Sequence, residues 1–538
     1  MNSAIALAAA RRYSAAARAA VAARVGTPAE PGRLEAEQRA AHSMAWVATL
    51  VEALAALDQW AERAKIRNCY GEPERLVHAI GFGETLAAIG TAIAIGPGET
   101  GRPSDCGLQA EAAELLADPD VAAFIAEGTG AAARASLAAQ IAQGTLPLAD
   151  FGDETLDSIR AQFHRFTTER ILPHAHRWHL DDALVPDDLI ADLANLGAFG
   201  LTLPQAHGGL GLGKVEMCIV TEELSRGWIG VGSLGTRSEI AGDLIATAGT
   251  EAQKARWLPG IADGSILPTA VFTEPGSGSD LASLATRATP CPDGGWRIDG
   301  AKTWITHAAR SDLMTMLVRT GGPGHGGISM MLAEKPRGTR DNPFPVSGLG
   351  GSEIPVLGYR GMREYELAFD GFHVSAQGLL GNAEGQGFRQ LMQTFEGARI
   401  QTAARAVGVA RRAFELGLAY AQQRRQFGKP LVAFPRVADK LALMLVDIIL
   451  SRELTLAAAR AKDSGRRCDV EAGMAKLLAA RTAWSAADAC LQIHGGAGYA
   501  LESEASRLLC DARILSVFEG AAEIQAHVIA RGLLSGAN

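Results

Sequence analysis

Apolar residues recur every three or four positions through Met44, Val47, Val51, Leu54 and Leu57, which puts them on one face and predicts a helix. The glycine- and proline-rich stretch IGPGETGRPSD interrupts that periodicity. Helical spacing resumes from Ala110 to Gln143 and stops at TLPLADFGDE, so residues 1–150 are expected to form a separate helical module. From Glu154 to about Gly264 the pattern stays helical, with periodic runs over Asp182–Ala198 and Val215–Leu224 on either side of HGGLGLG. After Pro268 the texture changes. Short runs such as WRIDG, LMTMLV, ISMML and YELAF are separated by PDGG, GGPGHGG and DNPFP, which predicts a sheet with tight turns. Helical spacing returns near Gly387, with one stripe through Ile400, Ala403, Val407, Ala410, Phe414 and Leu418 and another through Val437, Leu441, Met444 and Ile448. The expected order is helices, sheet, helices, with an additional helical module in front and antiparallel packing of the last long helices into a bundle.

Length and composition refine this picture. At 538 residues the chain exceeds a single core, and a prior of ~150 residues per domain suggests three or four. No run approaches the ~20 unbroken apolar residues that cross a bilayer, so no membrane span is expected. The seven cysteines are widely spaced and contain no CxxC pair, which reads as reduced thiols and a cytoplasmic setting. The first 29 residues carry four arginines and no acid, but they lack the compact apolar segment and cleavage site of a signal peptide. The net charge of −8 argues against general nucleic-acid binding. Residues 386–538 nevertheless carry 20 Lys and Arg against 14 Asp and Glu, a local excess suited to phosphate-bearing ligands. The twelve histidines include no HxxxH pair with nearby ligands, so no metal site is expected.

HGGLGLG lacks the GxGxxG spacing and follows no credible strand; a turn between helices explains it. Four other segments are more specific together than any is alone: TEPGSGSD (273–280), KTWIT (302–306), RRQFGKP (424–430) and QIHGGAGY (492–499). With these motifs in this order, the chain resembles the flavin-dependent acyl-CoA dehydrogenases over about 153–538. The resemblance implies a multidomain α+β fold: a helical domain at 151–267, a central β domain at 268–385 and a C-terminal four-helix bundle at 386–538. It implies FAD as cofactor, an acyl-CoA substrate, electron transfer flavoprotein as electron acceptor, and a homo-oligomer, dimer or tetramer, with FAD shared across the interface.

By the same resemblance, Phe272, Thr273, Gly278 and Ser279 meet the flavin ring or the acyl thioester, and Trp304 and Thr306 flank the isoalloxazine. Arg424 and Phe427 serve the FAD diphosphate and adenine of a neighbouring subunit, where a guanidinium suits paired phosphates. Gln492 and Gly496 receive the partner's cofactor, glycine permitting close backbone approach. Ala521 stands where a threonine is common, Pro435 where many relatives have glutamine, and Glu523 at a position that often carries an acid or amide near the cofactor.

SVFEGAAEIQ places Glu519 at the family's catalytic position, which implies a general base for the α-proton of a thioester. Taken alone, such a glutamate reads better as a helix-terminal carboxylate resting on the helix dipole; the surrounding motifs reverse that. Desolvation against Phe518 and the flavin would suit it to the task. Glu396 and Arg399 match a position near the pantetheine and thioester. Within the family, TEELSRGWIGVGSLGTRSEIAGDLI, EIPVLGYRGMREYELAFDGF and FPRVADKLA are most similar to a subgroup that shares the extra N-terminal module, Pro435 and Ala521. That subgroup implies (2S)-methylsuccinyl-CoA as substrate and mesaconyl-CoA as product, in the ethylmalonyl-CoA pathway. A free carboxylate on the acyl chain needs a cation, because burying it unpaired is costly. Arg237 is the candidate, with a salt bridge to Glu239 or to a second acid as the competing use of its charge. Isovaleryl and glutaryl thioesters are the alternative substrates. A DNA-binding flavoprotein of the alkylation-response kind is a remoter alternative, requiring a strongly basic surface.

Overall fold

The computed structural model describes residues 1–96, 98–147 and 151–535, and it resolves the chain into two compact units. One comprises Met1–His164 with Thr402–Asn538, the other Arg165–Gln401. The expected boundary near residue 150 lies outside the described residues.

In the first unit the stripe through Met44 and Leu57 lies on helix Gln38–Ile66, where all five of its residues are buried. This is the one helix among the described residues long and apolar enough for a membrane span, and 89% of its most apolar window is buried inside the protein. The N-terminal helices were expected to stand apart as a module. Instead they share a core with the C-terminal helices: Gln38–Ile66 packs on Pro435–Asp463, Asp469–His494 and Ala522–Leu534. Trp46 explains part of this, because the Arg481 guanidinium lies 4.7 Å from its ring and donates to the Ala94 carbonyl at 2.8 Å. Arg63 reaches Glu453 in the same way. Sequence periodicity locates a buried face but does not say which distant helix covers it.

The second unit holds a seven-stranded sheet: β1 Pro268–Val271, β2 Arg287–Pro290, β3 Trp296–Thr306, β4 Leu313–Arg319, β5 Ile328–Glu334, β6 Leu349–Ile354 and β7 Glu364–Val374. The strand order is β1-β4-β2-β3-β7-β6, with β5 paired to β4. All four apolar runs named above fall on strands. β4 is buried along its whole length, as a continuous apolar run implies, whereas β7 alternates. Helices Asp187–Asn195, Lys214–Gly227, Ile229–Ala248 and Glu251–Ala262 lie in the same unit. The first begins five residues later than the periodic run suggested, because Pro186 precedes it and Asp182 takes a left-handed turn (φ 48°). HGGLGLG is a turn between helices, with Gly208 and Gly211 at positive φ.

Candidate active site

The register of β3 against β7 shifts between Lys302 and Ile305, in the middle of KTWIT. A bulge of this kind re-aims side chains. Trp304 within it takes φ 58° and leaves its indole 56% exposed, while Lys302 and Thr306 on either side are buried. The strand therefore presents one aromatic face outward from an otherwise buried segment. Thr303 N–H donates to the Thr273 carbonyl at 3.0 Å, which fastens TEPGSGSD beside the bulge.

Beneath that contact lies a buried ion pair that the sequence did not single out. The Lys302 ammonium sits 2.9 Å from Glu274 and donates to the Phe272 carbonyl at 3.0 Å. Glu274 also accepts from the N–H groups of Ala285 and Thr286, at 2.6 and 2.9 Å, and so closes the loop between them. Burial lowers the Lys302 pKa to about 8, and the pull of Glu274 only partly offsets it. Burial also acts to raise the Glu274 carboxyl, but Lys302 and the backbone donors outweigh it and leave its pKa below the ordinary value. Gly278 and Ser279 lie exposed in the same loop, and no atom lies within 4 Å of a Cβ built at Gly278. Thr306 turns inward, its hydroxyl donating to Glu364 at 3.0 Å.

Just past the end of the strand, His307 is fully buried at φ 68° with no hydrogen-bond partner for either ring nitrogen. Burial, followed by the charges of Arg310, Arg337, Lys335 and Arg237, lowers its pKa to about 3. Arg237, on helix Ile229–Ala248, therefore has its charge near the end of KTWITH. Its side chain is buried, and Glu239 is engaged by Lys214 and the Thr202 hydroxyl. One turn before Arg237, Ser233 hydrogen-bonds the Tyr359 hydroxyl. Glu396 is buried on helix Gly387–Gln423, and Arg399 is half-buried with its guanidinium 5.8 Å from the Phe395 ring.

In the first unit, Glu519 occupies the turn between helices Glu504–Ile514 and Ala522–Leu534, at φ 53°. A left-handed conformation at a non-glycine residue is uncommon and needs support. Gln525 supplies some by donating to the carbonyls of Glu519 and Gly520, each at 3.2 Å. The buried Lys476 ammonium donates to the Gly520 carbonyl at 2.6 Å. The carboxylate itself accepts from the Thr402 hydroxyl and from the Arg405 guanidinium at 2.7 Å. Arg405 is 0% exposed and also lies 4.8 Å from the Phe518 ring. Of these supports, Thr402, Arg405, Lys476 and Gln525 escaped the sequence reading. The available signal was two cations, Arg405 and Lys476, inside apolar helical runs. Ala521 is the residue before the last helix, and Glu523 is exposed in its first turn.

Phe427 stands on a two-residue turn between Arg425–Gln426 and Lys429–Pro430, with Phe427 and Gly428 both at positive φ. Its ring is 92% exposed. Arg424 is exposed at the base of that hairpin. Gln492 and Gly496 are exposed at the end of helix Asp469–His494, and Cβ atoms built at Gly495 and Gly496 would meet nothing within 4 Å. Pro435 is the first residue of helix Pro435–Asp463, where its missing N–H costs no hydrogen bond. These features fit part of a flavin dinucleotide: an outward aromatic ring on a rigid turn, an exposed guanidinium and open glycines.

Family models match three stretches of the chain: acyl-CoA dehydrogenase N-terminal domain at 153–265, middle domain at 269–372 and C-terminal domain at 385–534. A (2S)-methylsuccinyl-CoA dehydrogenase of Cereibacter sphaeroides is 57% identical over 93% of this chain and 91% of its own length. Butyryl-CoA dehydrogenase from Megasphaera elsdenii superimposes with a TM-score of 0.67 at 30% identity, covering 72% of this chain and 100% of that one. A glutaryl-CoA dehydrogenase from Mycobacterium smegmatis in complex with FADH2 gives a TM-score of 0.65 at 28% identity, over 72% of this chain and 96% of that one.

Proposed function

Because the chain belongs to the acyl-CoA dehydrogenase family, we propose that it oxidises a short branched dicarboxylyl thioester, (2S)-methylsuccinyl-CoA, to mesaconyl-CoA. Bound FAD supplies the hydride acceptor for the β-hydrogen. Thr273, Gly278, Ser279 and Trp304 would hold the isoalloxazine side, with Lys302 and Glu274 keeping their loop in place. Glu519 accepts the α-proton at its carboxylate oxygen. The observation that carries this assignment is the support around Glu519: a left-handed turn held by Lys476 and Gln525, with Arg405 and Thr402 holding the carboxylate in one place. Thr402 and Arg405 both contact the same carboxylate oxygen, Oε2, so Arg405 acts as a holding partner that orients Glu519 and not as a substrate ligand.

Arg237 pairs with the distal carboxylate of the substrate, and Glu396 and Arg399 lie on the helix that serves the thioester end. Phe427 and Arg424 contribute to the cofactor of a second copy; a nearly bare phenylalanine ring on a rigid turn favours such an external contact. Electron transfer flavoprotein is the proposed electron acceptor. Turnover with a panel of CoA thioesters tests the substrate. Efficient oxidation of (2S)-methylsuccinyl-CoA supports the reading, whereas its failure beside rapid isovaleryl-CoA or glutaryl-CoA oxidation overturns it and leaves the family chemistry intact.

A further inference from the structure

Away from the residues assigned above, the turn joining β2 to β3 meets the far end of β7, and three side chains of metal-ligand type converge there. The Cys291 thiol, an Asp293 carboxylate oxygen and a His373 ring nitrogen all lie within 4.8 Å of one another. We propose that Cys291, Asp293 and His373 form a binding site for one zinc-like divalent cation, with a fourth position open.

Local structure fixes the three donors. Cys291 N–H donates to the Gly295 carbonyl at 2.8 Å and Gly294 N–H to the Cys291 carbonyl at 3.0 Å, closing the CPDGG turn with Gly294 at φ 81°. Gly295 N–H engages one Asp293 oxygen at 2.9 Å, which leaves the other facing His373 Nε2 at 3.0 Å. The pairing of β3 with β7 sets Arg297 opposite His373 and Trp296 opposite Val374, so the imidazole is fixed in register beside the turn. A Cβ at Gly295 would come within 2.7 Å of His373 Nε2. Glycine at that position is what lets the ring lie over the turn.

The donor set selects the metal class. One sulfur, one imidazole and one carboxylate suit zinc, with bonds of ~2.3 Å to sulfur and ~2.0–2.2 Å to nitrogen and oxygen. Ligand atoms around such a tetrahedral centre stand ~3.5 Å apart, so the thiol need only close in by ~1 Å, a side-chain rotation at a half-buried cysteine. Calcium and magnesium prefer six or more oxygens and find a single carboxylate here. A bound cation would tie the hairpin to β7. The competing description is an exposed His–Asp pair with a spectator thiol.

The test uses the full-length, FAD-loaded protein. After treatment with a chelator it is equilibrated with zinc, freed of excess by gel filtration, and examined by elemental analysis and zinc-edge X-ray absorption. The expected result is one zinc per chain in a shell with one sulfur and the rest nitrogen or oxygen, together with a raised Tm. Cys291→Ala and His373→Ala should each weaken zinc binding at least ~100-fold, the scale on which losing a ligand or its support acts, while FAD content and turnover stay unchanged. Cys69→Ala, at an exposed thiol elsewhere, should bind as the wild type does. Failure to retain zinc, a shell without sulfur, or undiminished binding by Cys291→Ala and His373→Ala would overturn the assignment.

Discussion

Replacing Lys302 by methionine isolates the buried pair that holds the TEPGSGSD loop. The ammonium is 0% exposed and 2.9 Å from Glu274. At an effective dielectric of about 20 their attraction is ~6 kcal/mol. Yet Lys302 titrates near 8, where an unburied lysine titrates near 10.5, so enclosing the cation costs ~3 kcal/mol even with its partner present. The pair is therefore poor as a net source of stability and expensive to break. Lys302→Met leaves Glu274 buried with only the Ala285 and Thr286 N–H groups, and losing one partner of such a pair costs ~3–5 kcal/mol. Because those donors remain, the lower end, ~3 kcal/mol, is expected. Lys302→Met with Glu274→Gln should recover more than half of that loss, since no uncompensated charge stays inside. Urea unfolding at neutral pH measures the stability, and flavin fluorescence on dilution measures FAD retention, which should weaken ~10-fold in the single variant. In the wild type the unfolded chain binds the extra proton between about pH 8 and 10.5, so this group makes stability rise with pH across that window. That contribution should vanish in Lys302→Met. A single variant within ~1 kcal/mol of wild type, or a double variant less stable than the single, would refute the reasoning.

Three further outcomes follow from the same geometry. His307 titrates near 3 in the folded chain and near 6.5 when unfolded, so its contribution is present above about pH 6.5 and is lost as pH falls towards 3; His307→Asn should remove ~2 kcal/mol of acid sensitivity at about pH 5, read from acid unfolding followed by circular dichroism. Arg405→Ala should lower kcat ~10- to 100-fold with little change in KM, because Glu519 loses its holding partner but substrate contacts remain. Arg237→Met should reduce kcat/KM for (2S)-methylsuccinyl-CoA at least ~30-fold, the ~2–5 kcal/mol typical of stranding a buried charge, while isolated protein keeps its FAD.

Much of the architecture was legible because it rests on local periodicity. The stripe from Met44 to Leu57 and the runs LMTMLV and ISMML report burial directly, and the structure places them on a helix and two adjacent strands. The start of helix Asp187–Asn195 was misplaced because apolar spacing alone does not register the barrier set by Pro186. Packing between distant segments was not legible. Nothing in the spacing of residues 38–66 says that their partners lie beyond Pro435. The same limit applies to the candidate site. Thr273, Trp304 and Glu519 stood out through motifs, whereas Lys302 beneath Phe272 and Arg405 beside Glu519 depend on contacts that only the folded chain makes. Asp293 and His373 meet although 80 positions separate them, so a search for short-range ligand motifs passes over them.

The most direct test of the account follows the oxidised flavin absorbance under anaerobic conditions while (2S)-methylsuccinyl-CoA is added to the wild type and to Glu519→Gln. The wild type should bleach stoichiometrically, and Glu519→Gln should bind the thioester but bleach at least ~10³-fold more slowly, within the range general-base catalysis supplies. Bleaching of Glu519→Gln at the wild-type rate would contradict the assignment of Glu519 as the base.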